Sequence, residues 1–300
     1  MARVQRLKWA IVGAGVAGRA RARAIADDPR APLVSVWRGK HAGELGVPEA
    51  ESFEAAIAEA DAVAICSPSE VHAEQALAAI RAGKHALVEF PLARDRAEGE
   101  ALVAAAAAAD RVLHVEHIEL LDVTSMTLSA HIRPEMVKRV EVGFDRPGAQ
   151  ETTPEGLALG NVARLHRVAA IAGGFASVDR VAHEPGLLTA ELTLQSGAPL
   201  RATFRQAPYY ARRTTLDLQT LAGRWTQEDG HLARDGMPVT LVGLGGLFSR
   251  DQLAATARIL DGAKPYVDDE RILHVLDTAA RIGRGQIGPV PAPSRSDRMQ

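Results

Sequence analysis

The stretch Leu7–Gly18, LKWAIVGAGVAG, decides the fold, and Leu33–Lys40, LVSVWRGK, extends the reading downstream. An apolar strand, Trp9–Val12, runs into Gly13-x-Gly15-x-x-Gly18, and Ala17–Ala26 reads as the helix that follows. The three glycines do different things. The first permits a tight turn, the second admits a pyrophosphate to the backbone, and the third lets helix pack on strand. The phosphates would rest at the helix N-terminus, where free N–H groups and the helix dipole favour negative charge. Gly13, Gly15, Val16, Ala17 and Gly18 are therefore the expected dinucleotide contacts. The second strand, Leu33–Trp37, is followed by Arg38, Gly39 and Lys40, with no carboxylate before Glu44. A binder of the non-phosphorylated dinucleotide usually places Asp or Glu there. Two cations suit a 2′-phosphate instead, so Arg38 and Lys40 favour NADPH over NADH.

The bulk numbers agree with an ordinary globular chain. Its 300 residues are 47% apolar and 24% charged, with a net charge of −2. That charge gives no general attraction to nucleic acid or anionic membrane. One cysteine, Cys66, lies in an apolar run, which excludes an internal disulfide and fits a reducing, cytoplasmic setting. No apolar run has the length of a membrane span or the form of a leader. The ten histidines lack ligand-like spacing with carboxylates or cysteine, so no metal is expected.

Strands and helices alternate up to about residue 120: strands Ala62–Cys66, His85–Val88 and Val112–Val115, with helices at Val71–Ala82 and Arg94–Ala109 and a short one around Phe53–Glu59. Short apolar strands between amphipathic helices imply a doubly wound parallel sheet, a Rossmann α/β domain over residues 1–120. The second half reads as strands Val137–Phe144, Ser177–His183, Leu187–Leu194, Leu200–Gln206, Thr214–Leu221 and Pro238–Val242. Turns such as Ser196-Gly197 and Asp229-Gly230 mark an antiparallel sheet. Helices are expected at Leu159–Ala172, Arg250–Leu260 and Asp268–Arg284. This gives an α+β domain on a large open, mostly antiparallel sheet over 121–288, with a disordered tail over 289–300. The site is expected in the crevice between the domains.

Cys66-Ser-Pro-Ser-Glu-Val-His72 ends the third strand, and Gly83-Lys-His-Ala-Leu-Val-Glu89-Phe90-Pro91-Leu92 ends the fourth. This order resembles the glucose-fructose oxidoreductase / inositol dehydrogenase (Gfo/Idh/MocA) superfamily over the first ~120 residues. The resemblance implies a hydride-transferring enzyme whose nicotinamide pocket involves Ser67, Pro68, His72, Glu89 and Phe90. Two departures bear on chemistry. Phe90 stands where the sugar dehydrogenases of that superfamily carry a substrate-polarising Lys. Their His-x-x-Asp is matched by Arg164 and Arg167, and His166 falls roughly 200° from Arg164 on the helix, off its face. A general-base dyad is absent, and two arginines one turn apart suit a carboxylate-bearing substrate.

The biliverdin reductase branch fits better. It is similar at Val88-Glu89-Phe90-Pro91, at Val112-Leu-His-Val-Glu116-His117-Ile-Glu119-Leu-Leu121, at Ala163-Arg164-Leu165 and at Ile272-Leu273-His274. The tyrosine of that family is Phe90 here. The resemblance implies NADPH-dependent reduction of a linear tetrapyrrole, biliverdin to bilirubin, by hydride transfer to the central methine carbon. Arg164 would bind or polarise the pigment, with Glu116 and Glu119 as candidate proton-relay carboxylates. Phe90, His117, Arg164, Arg167 and Arg205 are the candidate substrate contacts. Arg201, Arg205, Arg212 and Arg213, near Tyr209 and Tyr210, offer cations for two propionates. The alternatives are another NADP-dependent oxidoreductase acting on a carboxylate-bearing substrate, or a catalytically inactive NADP-binding regulator. The superfamily's open sheet allows a sheet-to-sheet homo-oligomer, whereas the biliverdin reductase resemblance implies a monomer.

Overall fold

Four consecutive apolar residues make β1 (Trp9–Val12), and all four are buried, as a strand covered on both faces requires. The structure, a computed structural model, describes residues 5–149, 152–243 and 245–293. The chain divides into two units. In the first, β1 is joined by β2 (Leu33–Trp37), β3 (Ala62–Ile65), β4 (His85–Val88) and β5 (Leu113–Val115). All pair in parallel, in the order β2-β1-β3-β4-β5. The connecting helices are α1 (Val16–Ala26), α2 (Phe53–Ile57), α3 (His72–Arg81) and α4 (Arg96–Ala108). Ser52 caps α2 and Asp95 caps α4 by accepting from backbone N–H groups of the first turn. The strand order reverses between β1 and β3, the switch point at which open α/β sheets bind ligands.

After α5 (Ile118–Leu121) and α6 (Val123–His131), the second unit is built on β6 (Val137–Arg146). The helix expected over Leu159–Ala172 is two helices, α7 (Pro154–Leu159) and α8 (Val162–Ala172). The break falls at Gly160-Asn161, where the Asn161 amide turns back to donate to the Leu157 carbonyl at 2.8 Å. Then come β7 (Phe175–Glu184), β8 (Leu187–Leu194), β9 (Pro199–Gln206), β10 (Arg213–Thr220), β11 (Gly223–Glu228), β12 (His231–Arg234) and β13 (Met237–Pro238). Sequence reading missed β11 and β12. In β11 only Trp225 and Gln227 are buried, so its apolar pattern is too thin to register. The strand expected over Pro238–Val242 shrinks to the two residues of β13.

The last elements are α9 (Leu247–Asp261), α10 (Asp269–Gly283) and β14 (Gly288–Pro289). The helix α9 belongs to the first unit, which comprises residues up to Ile118 together with Gly245–Asp268. The two-domain boundary at 120 therefore needs this correction: the chain returns to the cofactor unit. Of the tail expected to be disordered over 289–300, Pro289 pairs with β7 and Val290 donates to the Ala176 carbonyl. Residues 294–300 lie outside the described residues.

The nine described strands of the second unit run β13-β12-β11-β10-β6-β9-β8-β7-β14. Only β6 and β9 pair in parallel. Alternation splits the sheet cleanly. Val140, Val142, Phe144, Leu216 and Leu218 face Val168, Ile171 and Ala172 of α8. The opposite face is charged, with ion pairs Arg205–Asp145 and Arg224–Asp217.

Candidate functional site

The three glycines of the first loop occupy three different surroundings. Gly13 has φ +94°, and a Cβ there would stand 2.5 Å from the Ser67 backbone nitrogen. A Cβ on Gly18 would overlap the Gly13 carbonyl, whereas one on Gly15 would meet nothing within 4 Å. The loop is thus closed where strand, helix and β3 meet and open at Gly15. Val16, at the start of α1, is 79% exposed, a large apolar side chain with no protein covering it. Open backbone at a helix N-terminus is what a pyrophosphate requires, so these residues fit a dinucleotide.

The loop after β2 is stitched to the glycine loop. Ala14 N donates to the Arg38 carbonyl at 2.7 Å, and His41 N donates to the Ala14 carbonyl at 3.0 Å. Arg38 has φ +57° and its guanidinium lies 4.7 Å from the centre of the Trp37 ring. Glu44, the first carboxylate after this turn, is engaged by His41 at 2.7 Å and Arg19 at 3.5 Å. Among the described residues neither Arg38 nor Lys40 has a carboxylate partner, and both are exposed. The turn is a cationic rim beside the phosphate loop.

Beyond β3 and β4 the expected pocket residues sit side by side. His72 is buried, with ring nitrogens 2.8 Å from the Pro91 and Ser67 carbonyl oxygens. It ties the β3 loop to the Phe90–Pro91 segment, so it positions backbone rather than presenting a ring to a ligand. Pro68 is exposed, Ser67 and Phe90 are half-buried, and the Phe90–Pro91 peptide is cis. Glu89 is buried and accepts from Arg21 Nη2 at 3.0 Å.

That Arg21 belongs to a buried charge cluster which sequence reading did not find. Arg21, on α1, is fully buried, and its Nη1 lies 2.7 Å from Asp251 Oδ2 of α9. Asp251 also accepts from His114 Nε2 at 2.8 Å and from the Tyr266 hydroxyl at 2.5 Å. Burial alone would raise the Asp251 carboxyl, but His114 and Arg21 outweigh it and hold the group below the usual carboxylate range. Glu116 occupies the same cluster, with no exposed surface. Its Oε1 accepts from Ile118 N at 3.0 Å, and its Oε2 has no partner among the described residues. Burial, then the charges of Glu89 and Asp251, push the Glu116 carboxyl well above the usual range. Glu116, expected as a relay carboxylate, thus lies buried inside the charge cluster. His117 is likewise buried, with Nδ1 2.8 Å from the Val115 carbonyl, and does not offer its ring to substrate.

In the second unit, Arg164 of α8 meets Glu119 at 2.6 Å, both half-buried. These two sequence candidates are brought together. Arg167 is not at the surface with them: it is buried, donating from Nε to Ser125 Oγ at 2.7 Å and from Nη2 to Gln227 Oε1. It fastens α8 to α6 and β11, which corrects its assignment as a substrate contact. Arg205 is also displaced from the expected set. It sits on the open face of the sheet, paired with Asp145 at 3.2 Å, whereas α8 and Arg164 cover the other face. Arg201 shares the Arg205 side of β9. His274, of the Ile272-Leu273-His274 motif, accepts from Phe175 N at 2.9 Å, so this part of the resemblance is an internal clamp. Two residues that reading missed, Arg146 and Gln206, lie at the paired ends of β6 and β9 on the helix-covered face. The period-two run Val140, Val142, Phe144, Arg146 carried the signal.

Residues 7–117 match the model of the family described as Oxidoreductase family, NAD-binding Rossmann fold. This stretch is a Gfo/Idh/MocA oxidoreductase domain. Across nearly the whole chain, biliverdin reductase A of Mus musculus is 26% identical over 288 residues, 91% of this chain and 94% of the relative. The crystal structure of biliverdin reductase from Synechocystis, in complex with biliverdin and NADP+, has a TM-score of 0.79 at 26% identity. It covers 92% of this chain and 98% of that one. UDP-N-acetylglucosamine 3-dehydrogenase from Acidithiobacillus ferrooxidans has a TM-score of 0.79 at 20% identity, covering 93% and 97%, a likeness of fold. The oxidoreductase domain with its NAD(P)-binding Rossmann fold is thus joined to a second unit of a kind shared by these enzymes. No described helix is long and apolar enough to cross a membrane.

Proposed function

We propose that this chain is an NADPH-dependent reductase of a linear tetrapyrrole, with biliverdin as the first substrate to test. The observation that carries the reading is the pair of Arg164 on α8 with Glu119 on α5, which puts a guanidinium where a sugar dehydrogenase needs a histidine base. The likeness to two biliverdin reductases along nearly the full chain supports it. Gly13, Gly15, Val16, Ala17 and Gly18 would hold the pyrophosphate, and Arg38 and Lys40 the 2′-phosphate. When bound, the reduced nicotinamide supplies a hydride to the central methine carbon of the pigment, while a proton is added at a pyrrole nitrogen, giving bilirubin and NADP+.

The residues of the chain then divide the remaining work. Phe90 offers an apolar surface suited to a flat conjugated pigment. Arg164 stabilises the negative charge that hydride addition delivers to the pigment, and Glu119 fixes the guanidinium in place. Glu119, half-buried and in contact with Arg164, is also the carboxylate through which a proton can reach this end of the site. A second reading, another NADP-dependent oxidoreductase acting on a carboxylate-bearing substrate, draws on the same arginine. Mixing the protein with NADPH and biliverdin and following the visible spectrum separates the two. NADPH-dependent loss of the red biliverdin band with gain of a blue-absorbing band supports the proposal. An unchanged spectrum, with NADPH binding shown separately, refutes it.

A further inference from the structure

Arg146 ends β6 on the face covered by α8, and it is held there by its neighbours. Its Nε donates to Gln206 Oε1 at 2.6 Å. Gln206 is itself fixed, donating to Thr152 Oγ1 at 2.8 Å and to the Ala149 carbonyl at 3.1 Å. The two terminal nitrogens lie over Gly160, 2.8 and 2.9 Å from where a Cβ would stand. Gly160 leads directly into α8, four residues before Arg164. Its φ of −67° is open to any residue, so the space for a guanidinium is what glycine provides here. The next arginine arrives from another loop. Ala207 N approaches the Arg146 carbonyl at 3.4 Å, and Arg213 pairs with Asp145 in the β10–β6 register. Arg212, one position earlier, therefore comes in beside Arg146.

Among the described residues Arg146 has no carboxylate partner. Burial, then the neighbouring charges of Arg164 and Arg212, push its guanidinium below its ordinary range. Like charges collected at one place on a protein are unfavourable unless an anion joins them. Among the described residues, three guanidinium groups against the single carboxylate of Glu119 leave two positive charges in excess. We propose that Arg146, Arg164 and Arg212 form a carboxylate-binding clamp in the second unit, with Arg146 the guanidinium pre-set to receive a propionate of the substrate. The clamp rests on the bilin reading of this site, and of Arg201, Arg205, Arg212 and Arg213, the arginines expected from the sequence to meet propionates, it keeps Arg212.

The test is an absorbance titration of biliverdin, and of biliverdin dimethyl ester, into protein loaded with NADP+. The ester keeps the conjugated rings and lacks both carboxylates. Wild type should bind the free acid about tenfold or more tighter than the ester, the size of one or more charge-assisted hydrogen bonds. Arg146→Gln should weaken the free acid by about tenfold and leave the ester unchanged, and Arg146→Lys should recover part of the loss. Equal binding of acid and ester by wild type overturns the clamp while sparing the bilin reading. Equal weakening of acid and ester in Arg146→Gln also overturns it, since the residue would then only support the fold. If wild type binds neither pigment, the bilin reading falls and the clamp falls with it.

Discussion

Asp251 is the group on which the first unit is most sensitive. Its carboxylate is fully buried and receives Arg21 at 2.7 Å, His114 at 2.8 Å and the Tyr266 hydroxyl at 2.5 Å. Asp251→Ala leaves the fully buried Arg21 with Glu89 as its remaining ion partner, and strands two further donors. Removing one member of a buried ion pair costs about 3–5 kcal/mol, against a total stability of about 5–15 kcal/mol. In urea titration the midpoint should fall accordingly, and hydrogen exchange should accelerate in α9, which Asp251 anchors to α1. Arg21 stays paired with Glu89 in that variant, so adding Arg21→Met to Asp251→Ala should cost further stability by stranding the buried Glu89. The pH dependence has a fixed sign. The folded value of Asp251 is depressed below the unfolded value of about 3.9, so its contribution is present above that pH and lost as pH falls toward the folded value. Asp251→Asn should flatten that acid slope. A loss under about 1 kcal/mol for Asp251→Ala, or a double variant no less stable than the single, would refute the account.

Other outcomes follow from the same cluster and from the glycine loop. Glu116 has a raised folded value, so wild-type stability should decline as pH climbs past the unfolded value of about 4.3, and Glu116→Gln should remove that decline. A loss of more than about 1 kcal/mol at neutral pH in Glu116→Gln would mean that the carboxylate is ionised and paired. Gly15→Ala should unfold like wild type yet bind NADPH at least tenfold more weakly, whereas Gly18→Ala, whose Cβ meets the Gly13 carbonyl, should lower the unfolding midpoint itself. Calorimetric titration beside urea unfolding distinguishes the two. Arg38→Ala with Lys40→Ala should reduce the ratio of NADPH to NADH affinity by tenfold or more, and an unchanged ratio would remove the 2′-phosphate from this turn. Arg164→Ala should reduce biliverdin turnover by about a hundredfold, and activity within a few-fold of wild type would exclude it as the stabilising cation.

The sequence by itself determined the cofactor domain, because each of its signals is local. A buried parallel strand must be continuously apolar, as Trp9–Val12 is, and a tight turn onto a helix must place glycine where Gly13 and Gly18 stand. The cationic turn at Arg38 and Lys40 was legible for the same reason, being fixed by the end of one strand. The second sheet was legible where period-two alternation is strong and faded in β11, where polar residues fill the strand. What only the tertiary structure decided is which charges meet. Arg19, Arg21 and Arg23 look alike along α1, yet Arg21 alone of the three is buried, and its partner Asp251 lies 137 residues beyond His114, which it also binds. The arginines of the second unit were sorted the same way. Arg205 faces the open side of the sheet, Arg167 is enclosed by Ser125 and Gln227, and Arg146, one step from Asp145, turns under α8 beside Arg164. A charge carries no periodicity that names its partner, and long-range packing alone selects the face on which each guanidinium emerges.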